Sequence, residues 1–191
     1  MPAETHAALA TAVLALSALA CRAGSRSVPD AGAIVPSAEA AKLVPFLPAR
    51  LGSFTATRPA TSTGSFPGPH ISATREYASP DGRNAHVRIS TGDVRSDLAT
   101  LDSDQGHAFG SDTPTYWRTT SIAGHRTRVA EERPVVRSSE CLVRASDNHV
   151  ADVRVTPAGP GDCETVAIYL DFTGIAATGG VPGPSRSRGA R

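Results

Sequence analysis

Two neighbouring apolar alternations constrain the fold more than any other feature of the chain. In residues 139–156, apolar and polar residues alternate on both sides of Asp147-Asn148, a dipeptide that favours a turn. Because strand side chains point to opposite faces in turn, this pattern predicts a β-hairpin with one apolar and one polar face.

The segment that follows the hairpin has two interpretations. Residues 158–162 supply turn chemistry, and residues 163–172 then predict a helix that begins at Asp162 as its cap and packs Val166, Ala167 and Leu170 on the sheet. The same residues also alternate well enough for a strand. Both interpretations stay open at this point.

Further strand patterns lie upstream, and helical patterns lie between them. Strands are predicted at 47–54, in a hairpin over 70–90 that turns at 79–82, and in a pair over 116–131 around Gly124-His125. Short helices are predicted after Ser37, as N-cap, and over 93–105 with Asp93 as cap, while residues 58–69 predict a loop. The sequence therefore predicts an α+β fold: a single antiparallel meander sheet of about five or six strands with two or three helices packed on one face.

The alternation also predicts which side chains of the sheet are buried. One set of alternate positions is apolar and should face the core, namely Ala85, Val87, Ile89, Val143, Val153 and Val155. The neighbouring set should point away from the core, namely His86, Arg88, Arg144 and Arg154.

The N-terminus carries an export pattern. Residues 7–20 are uncharged and apolar or small, too short a run for a bilayer core of about 30 Å but typical of a signal peptide. The run ends Ala18-Leu19-Ala20-Cys21, which resembles the bacterial lipobox, so Cys21 is predicted to be lipidated after cleavage. Ala18 stands where the lipobox usually has leucine, and residues 1–6 lack Lys and Arg. The alternative interpretation is a buried helix of the mature domain.

The three cysteines fit the same interpretation. One is used at Cys21, and the remaining two, Cys141 and Cys163, are predicted to form a disulfide that ties the hairpin to the closing segment. Two free buried cysteines are the alternative.

Domain boundaries follow from composition. Residues 1–20 are the predicted signal peptide, 21–36 a flexible tether, 37–176 a single α+β domain and 177–191 a disordered tail rich in Gly, Pro, Ser and Arg. The formal net charge of +1 gives no reason to expect a nucleic-acid partner. The predicted partner is the membrane, through the lipid on Cys21, and an envelope protein or cell-wall component is a second candidate.

Several short motifs in chain order resemble a known group. Leu47-Pro48-x-x-Leu51-Gly52-x-Phe54 is followed by Arg75-x-Tyr77, by Val87-x-Ile89 and by Ile122-Ala123-Gly124-His125. Over about residues 40–175 this order resembles uncharacterised bacterial envelope lipoproteins whose domain is similar to the Mog1/PsbP-like α/β sandwich. The resemblance implies a fold and a location in the envelope, and it transfers no active site. The cysteine pair departs from it.

Candidate chemistry is sparse. Asp97, Asp102 and Asp104 lack the further ligands of an EF-hand loop, and no serine lies in a G-x-S-x-G motif. The histidines from position 70 onward are scattered singly: His70, His86, His107, His125 and His149. We therefore predict no catalytic residue, no metal ligand and no cofactor.

The sequence thus favours an exported, lipid-anchored envelope protein that serves as a non-catalytic binding or structural module and faces the periplasm or the cell exterior. The alternative is a small periplasmic hydrolase or metal-dependent enzyme that uses scattered His and Asp groups. A cavity that brought together two or more of His86, His125 and His149 with nearby carboxylates would favour the alternative.

Overall fold

The structure is a computed structural model that describes residues 38–64, 70–103, 106–108, 115–132 and 137–179. These residues form ten strands, which are β1 (Arg50–Leu51), β2 (Phe54–Ala56), β3 (Thr61–Gly64), β4 (Ile71–Ala78), β5 (Asn84–Thr91), β6 (Gly106–Ala108), β7 (Thr115–Ile122), β8 (His125–Glu132), β9 (Ser139–Ser146) and β10 (His149–Thr156). The helices are short: α1 (Ala38–Ala41), a 3-10 turn (Val44–Phe46), α2 (Arg95–Asp102), α3 (Asp162–Ala167) and α4 (Phe172–Ala177).

All ten strands belong to one antiparallel sheet. Nine of them lie side by side in the order β1-β2-β4-β5-β10-β9-β8-β7-β6, and β3 pairs with β4. After β5 the chain crosses to the far edge of the sheet and returns strand by strand until β10 lies beside β5. The predicted fold class is therefore wrong: the protein is mostly sheet, nearly twice as many strands are present as expected, and the order is not a simple meander.

The longer hairpins lie where the alternation predicts them. β4 and β5 pair across the turn at residues 79–83, and β9 and β10 pair across Asp147-Asn148. β7 and β8 join through Ala123 and Gly124, which both have positive φ (49° and 84°). Two consecutive left-handed residues form the tight turn whose twist matches that of the flanking strands.

The buried face has the predicted register. The six alternate apolar positions of β5, β9 and β10 named above are at most 2% exposed. With the aromatic and leucine side chains of residues 43–54 and the closing helices, they form the main core. This prediction is confirmed, and His86, Arg88, Arg144 and Arg154 lie on the opposite face.

The helices do not all pack on one face. The 3-10 turn, α3 and α4 contribute to the main core, but α2 packs on the other side of the sheet, where Val94 and Leu101 contact Leu142 and Val150. Leu142 and Val150 alternate with the core residues along β9 and β10, so their side chains lie on the face opposite the main core. Burying them requires another element to pack on that face, and α2 does so. The expectation of a single helical layer is corrected accordingly.

The closing segment is helical and interrupted. α3 ends at Ala167 and α4 begins at Phe172, with Asp171 accepting a hydrogen bond from the Gly174 N–H at 2.8 Å. Val166, Ala167 and Leu170 are buried as predicted. Asp162 is not the cap: Gly161 holds that position, and the Asp162 carboxylate instead accepts from the Gly159 N–H and pairs with Arg83. Likewise Asp93 pairs with Arg95, and Val94 precedes α2 as its cap residue.

Some predictions fall outside the described residues. Residues 1–37 include the predicted signal peptide, Cys21, the tether and the cap at Ser37, and residues 180–191 include most of the predicted tail. Within the described part of the chain, no helix has the length and apolar character required to cross a membrane.

Candidate functional site

The face of the sheet opposite the main core is polar. Hydrogen-bond register aligns one side chain from each of six neighbouring strands in a single row, which runs Trp117, Ala130, Glu140, Arg154, His86 and Glu76. We call this surface, with its flanking positions on the same strands, the polar face. Because its residues alternate with the core residues, the strands that build the core also determine its spacing.

Cross-strand ion pairs organise the polar face. Arg154 of β10 contacts Glu140 of β9 through both Nη2 (2.5 Å) and Nε (3.1 Å). Arg88 of β5 donates to Asp152 Oδ2 of β10 at 3.0 Å. Each pair consists of directly opposed residues in the register, the arrangement in which opposite charges stabilise a sheet most.

Arginines also hold α2 against one end of the polar face. Arg128 donates to the Thr100 carbonyl oxygen (3.2 Å) and lies over the Trp117 ring at 4.4 Å. Arg126 donates to the Leu101 carbonyl oxygen at 3.1 Å. These contacts place guanidinium groups at the negative end of the helix dipole, where they are favourable.

Two groups of the polar face have shifted pKa values. Burial raises the pKa of Asp152 to about 6, Glu140 adds to the rise, and Arg88 opposes it. Asp152 Oδ1 and Arg88 Nε are buried without a hydrogen-bond partner, consistent with a pair that is only partly compensated. Burial, followed by the charge of Arg88, lowers the pKa of His86, so His86 is neutral at pH 7.

Three adjoining cavities follow the row of aligned side chains. The first, of about 300 Å³, lies between Glu76, His86 and Arg154. The second, of about 340 Å³, shares Arg154 and Thr156 with the first. The third, of about 230 Å³, shares Glu140 with the second and reaches Thr100 of α2. Because neighbouring cavities share lining residues, they adjoin one another along the sheet, and we call the three cavities together the groove.

The two cysteines predicted to pair lie on the core side. A disulfide joins Cys141 of β9 to Cys163 of α3, with Cα atoms 5.5 Å apart, inside the range that such a bond permits. Both residues are fully buried. The Ser139 hydroxyl oxygen accepts a hydrogen bond from the Cys163 N–H at 3.4 Å. The strand and the closing helix therefore meet at this bond.

The histidines are separated by the sheet. His86 lies in the groove, directly opposite Glu76 in the register. The His125 ring packs against the Phe172 ring of α4 in a tilted arrangement, with ring centroids 5.1 Å apart. His149 is 1% exposed and bridges Ser146 (2.9 Å) and Thr178 (3.0 Å), and burial lowers its pKa.

The structure therefore brings one histidine and one carboxylate together but does not converge the three histidines. Within the residues that the structure describes, no three His, Cys, Asp or Glu side chains are placed to hold a metal ion. Asp97 and Asp102 lie on α2, and Asp102 is 3.5 Å from Arg144.

The sequence interpretation missed the groove for an identifiable reason. Arginine supplies almost every basic residue of the chain, Lys42 being the one lysine, and this bias makes individual arginines uninformative. The useful signal was their spacing: Arg88, Arg154 and the carboxylates Glu140 and Asp152 all occupy outward positions of predicted strands. Arg154 and Glu140 pair across the predicted hairpin of β9 and β10, but the pairing of Arg88 with Asp152 depends on β10 lying beside β5, which the predicted meander does not contain.

Comparison with known proteins gave no match: none was found among protein-family models, curated proteins or solved structures.

Proposed function

We propose that this chain is an exported protein, anchored to the bacterial cell envelope by a lipid on Cys21, and that it acts as a non-catalytic binding module. The groove on the polar face is its binding surface. The resemblance of residues 40–175 to envelope lipoproteins supports this location, as does the apolar run that ends at Cys21.

The position of the disulfide also supports export. Cys141 and Cys163 are joined in the core, and such bonds persist in oxidising compartments and are rare in the cytosol. With Cys21 carrying a lipid, every cysteine of the chain has a use.

The row of three adjoining cavities is the observation that carries the binding role. The three cavities share lining residues, and these residues come from six strands. Backbone hydrogen bonds between neighbouring strands fix the register of the lining side chains. A surface built on paired strands is preorganised, so binding loses little conformational entropy. The pairing of Arg154 with Glu140 also leaves these groups poorly suited to act as a free acid or base.

Localisation is tested first. Mass spectrometry of the membrane fraction should find a mature chain that begins at lipid-modified Cys21. Cys21→Ser should release the protein from the membrane, and Ser25→Ala, four residues away, should not. An unmodified chain that begins at Met1 would contradict the proposed anchoring.

Binding is tested separately in the native host. A photo-crosslinking residue placed at Asn84, which is exposed and lines the groove, should form adducts with an envelope component. The same residue at exposed Ser121 of β7, outside the groove, should not. Equal labelling from both positions would contradict a binding role for the groove.

A further inference from the structure

We propose that the helical cover of the core face rests on the lipid bilayer, so that the domain is oriented with its groove facing away from the membrane. This inference rests on the proposed lipid anchor at Cys21 and adds an interaction surface to it. The composition of the cover, its exposed side chains and the point where the anchored chain enters it support the proposal.

The cover of the core face contains three runs of residues without a charged side chain. They are residues 43–49, which include the 3-10 turn, residues 165–170 at the end of α3, and residues 172–179, which include α4. A Cβ added to Gly174 would lie 2.5 Å from the Phe46 ring, so the first and third runs are in close contact. We call the solvent side of these runs the cover surface. Contact with lipid would remove no charged group of these runs from water.

The cover surface exposes apolar side chains. Ile168 and Tyr169 are 60% and 58% exposed, and among the described residues they are two of the three large apolar side chains that are exposed. Tyr169 is held in place by the turn between β1 and β2, since a Cβ added to Gly52 would lie 2.6 Å from its ring. Tyrosine is enriched at membrane–water interfaces, where its ring meets lipid and its hydroxyl meets water. Smaller apolar residues of the first run are also exposed, namely Pro45, Pro48 and Ala49.

The anchored chain enters the domain beside this surface. α1 begins at Ala38, and the first uncharged run starts five residues later. The predicted tether, residues 22–37, has 16 residues, and a flexible chain of this length spans about 22 Å on average. A lipid on Cys21 would therefore keep the cover surface close to the bilayer, at an effective concentration on the order of millimolar. A few apolar side chains can then maintain a contact that would be too weak for a free protein.

One carboxylate lies between the second and third runs. Asp171 is exposed and accepts a hydrogen bond from the Gly174 N–H at 2.8 Å, as the cap of α4. A charged group at this position excludes deep insertion into the hydrocarbon. The contact is therefore expected at the level of the lipid headgroups, where water still solvates the carboxylate.

The sheet separates the cover surface from the groove. α3 and α4 pack on the core face, whereas Glu140 and Arg154 of the groove lie on the opposite face. A domain that rests on its cover surface therefore presents the groove to the side away from the bilayer, where an envelope partner can reach it.

The test uses the full-length chain on lipid vesicles. Cys21, the one cysteine outside the disulfide, is coupled to a maleimide phospholipid in vesicles of phosphatidylethanolamine and phosphatidylglycerol. A dansyl amino acid replaces either Ile168 or, in a second preparation, Asn84, which is exposed on the polar face. Nitroxide groups on the lipid chains should quench the probe at 168 about threefold more than the probe at 84, because interfacial side chains lie roughly 5–10 Å into the headgroup region. Iodide in the water should quench in the reverse order.

Variants assign the contact to the cover surface. Tyr169→Asp and, in a separate chain, Ala49→Asp should each reduce nitroxide quenching at 168 to the level seen at 84. Ser121→Asp is the matched control, because Ser121 is also exposed but lies on the polar face of β7, and it should change nothing. Unchanged thermal unfolding of each variant checks that the fold is intact.

Three outcomes would overturn the inference: equal nitroxide quenching at 168 and 84, nitroxide quenching that both cover variants retain, or a probe at 168 that is shielded from iodide and from the nitroxides alike. The last result would mean that a second copy of the chain or another protein covers this surface. Coupling through maleimide separates the inference from the proposed function. A natural chain without lipid on Cys21 would contradict the anchor alone, and failed docking of the coupled chain would contradict the orientation alone.

Discussion

The two faces of the sheet are built from the same strands and are opposite in character. Val153 of β10 is fully buried in the main core, and its neighbours Asp152 and Arg154 lie on the polar face in ion pairs. The core face gains free energy from apolar burial, about 25 cal/mol per Å². An exposed ion pair such as Arg154–Glu140 adds at most about 1 kcal/mol, and the more buried Arg88–Asp152 pair is only partly compensated. Folding is therefore driven mainly by the core face. The ion pairs of the polar face contribute little to folding, so this face is the one that can serve another role.

The cover of the two faces differs as well. The core face is closed by the 3-10 turn, α3, α4 and the disulfide. On the polar face the cover within the described residues is α2, which lies over Leu142 and Val150 and leaves the groove open beside it. The same kind of substitution should therefore affect stability differently on the two faces.

The largest effect is expected from a charge placed on the core face. Val153→Asp buries a carboxylate among apolar side chains that offer it no partner, which costs several kcal/mol of a total stability of about 5–15 kcal/mol. Circular dichroism and urea unfolding should show an unfolded or severely destabilised domain. Arg154→Asp, one residue along the same strand, is the control and should remain folded. Equal tolerance of both substitutions would contradict the assignment of the faces.

The disulfide should produce the next largest effect. Cys141 and Cys163 are 22 residues apart in sequence, and the chain-entropy model gives about 3 kcal/mol for a loop of this size. The double variant Cys141→Ala/Cys163→Ala should therefore melt roughly 10 °C below the wild type in calorimetry. Reductant should not lower its melting temperature further. If the double variant and the wild type had the same melting temperature, the disulfide would not be needed to hold α3 and α4 on the core face.

Some elements of the sheet could be predicted from the sequence and others could not. Long alternating strands such as β5 and β10 were predicted with the right register, because period-two burial is a local signal. β3 was not predicted, because Thr61–Gly64 contains no large apolar residue and its extended form comes from pairing with β4. The groove depends on the contact between β5 and β10, and four other strands lie between these two in the sequence. Such long-range pairing leaves no local pattern to interpret.

A pH-dependent effect is expected on the polar face. Burial raises the pKa of Asp152 to about 6, against about 3.9 in an unfolded chain. Between these values the folded state keeps a proton that the unfolded state has released, so stability falls as pH rises through this window. The loss is at most about 3 kcal/mol at pH 7, since each pKa unit corresponds to about 1.4 kcal/mol.

Asp152→Asn tests this expectation, because the amide oxygen still accepts from Arg88 but does not titrate. Its unfolding free energy, measured in urea at pH 4 and pH 7, should rise relative to the wild type at pH 7 and change little at pH 4. Asp147→Asn in the exposed turn between β9 and β10 is the control. A constant difference at both pH values would exclude titration of Asp152 as the cause.

The smallest effect is expected on the core side, with the opposite sign. Thr178 donates to the Ile175 carbonyl oxygen at 2.8 Å, so its hydroxyl oxygen accepts from His149 Nε2–H, and Nδ1 accepts from the Ser146 hydroxyl. Burial lowers the pKa of His149. As pH falls below the ordinary imidazole value of about 6.5, the unfolded state takes up a proton that the folded state does not, and stability declines.

The decline should be modest, because the Ser146 hydroxyl oxygen already accepts from the Asn148 N–H and can also accept from a protonated ring. Urea unfolding between pH 5 and pH 7.5 should show a slope in the wild type that His149→Gln removes and His70→Gln retains. Asp152 and His149 are three residues apart on β10 but on opposite faces, so acid should stabilise through one and destabilise through the other. If Asp152→Asn and His149→Gln changed the pH dependence of stability in the same direction, Asp152 and His149 would not lie in the separate environments that the register implies.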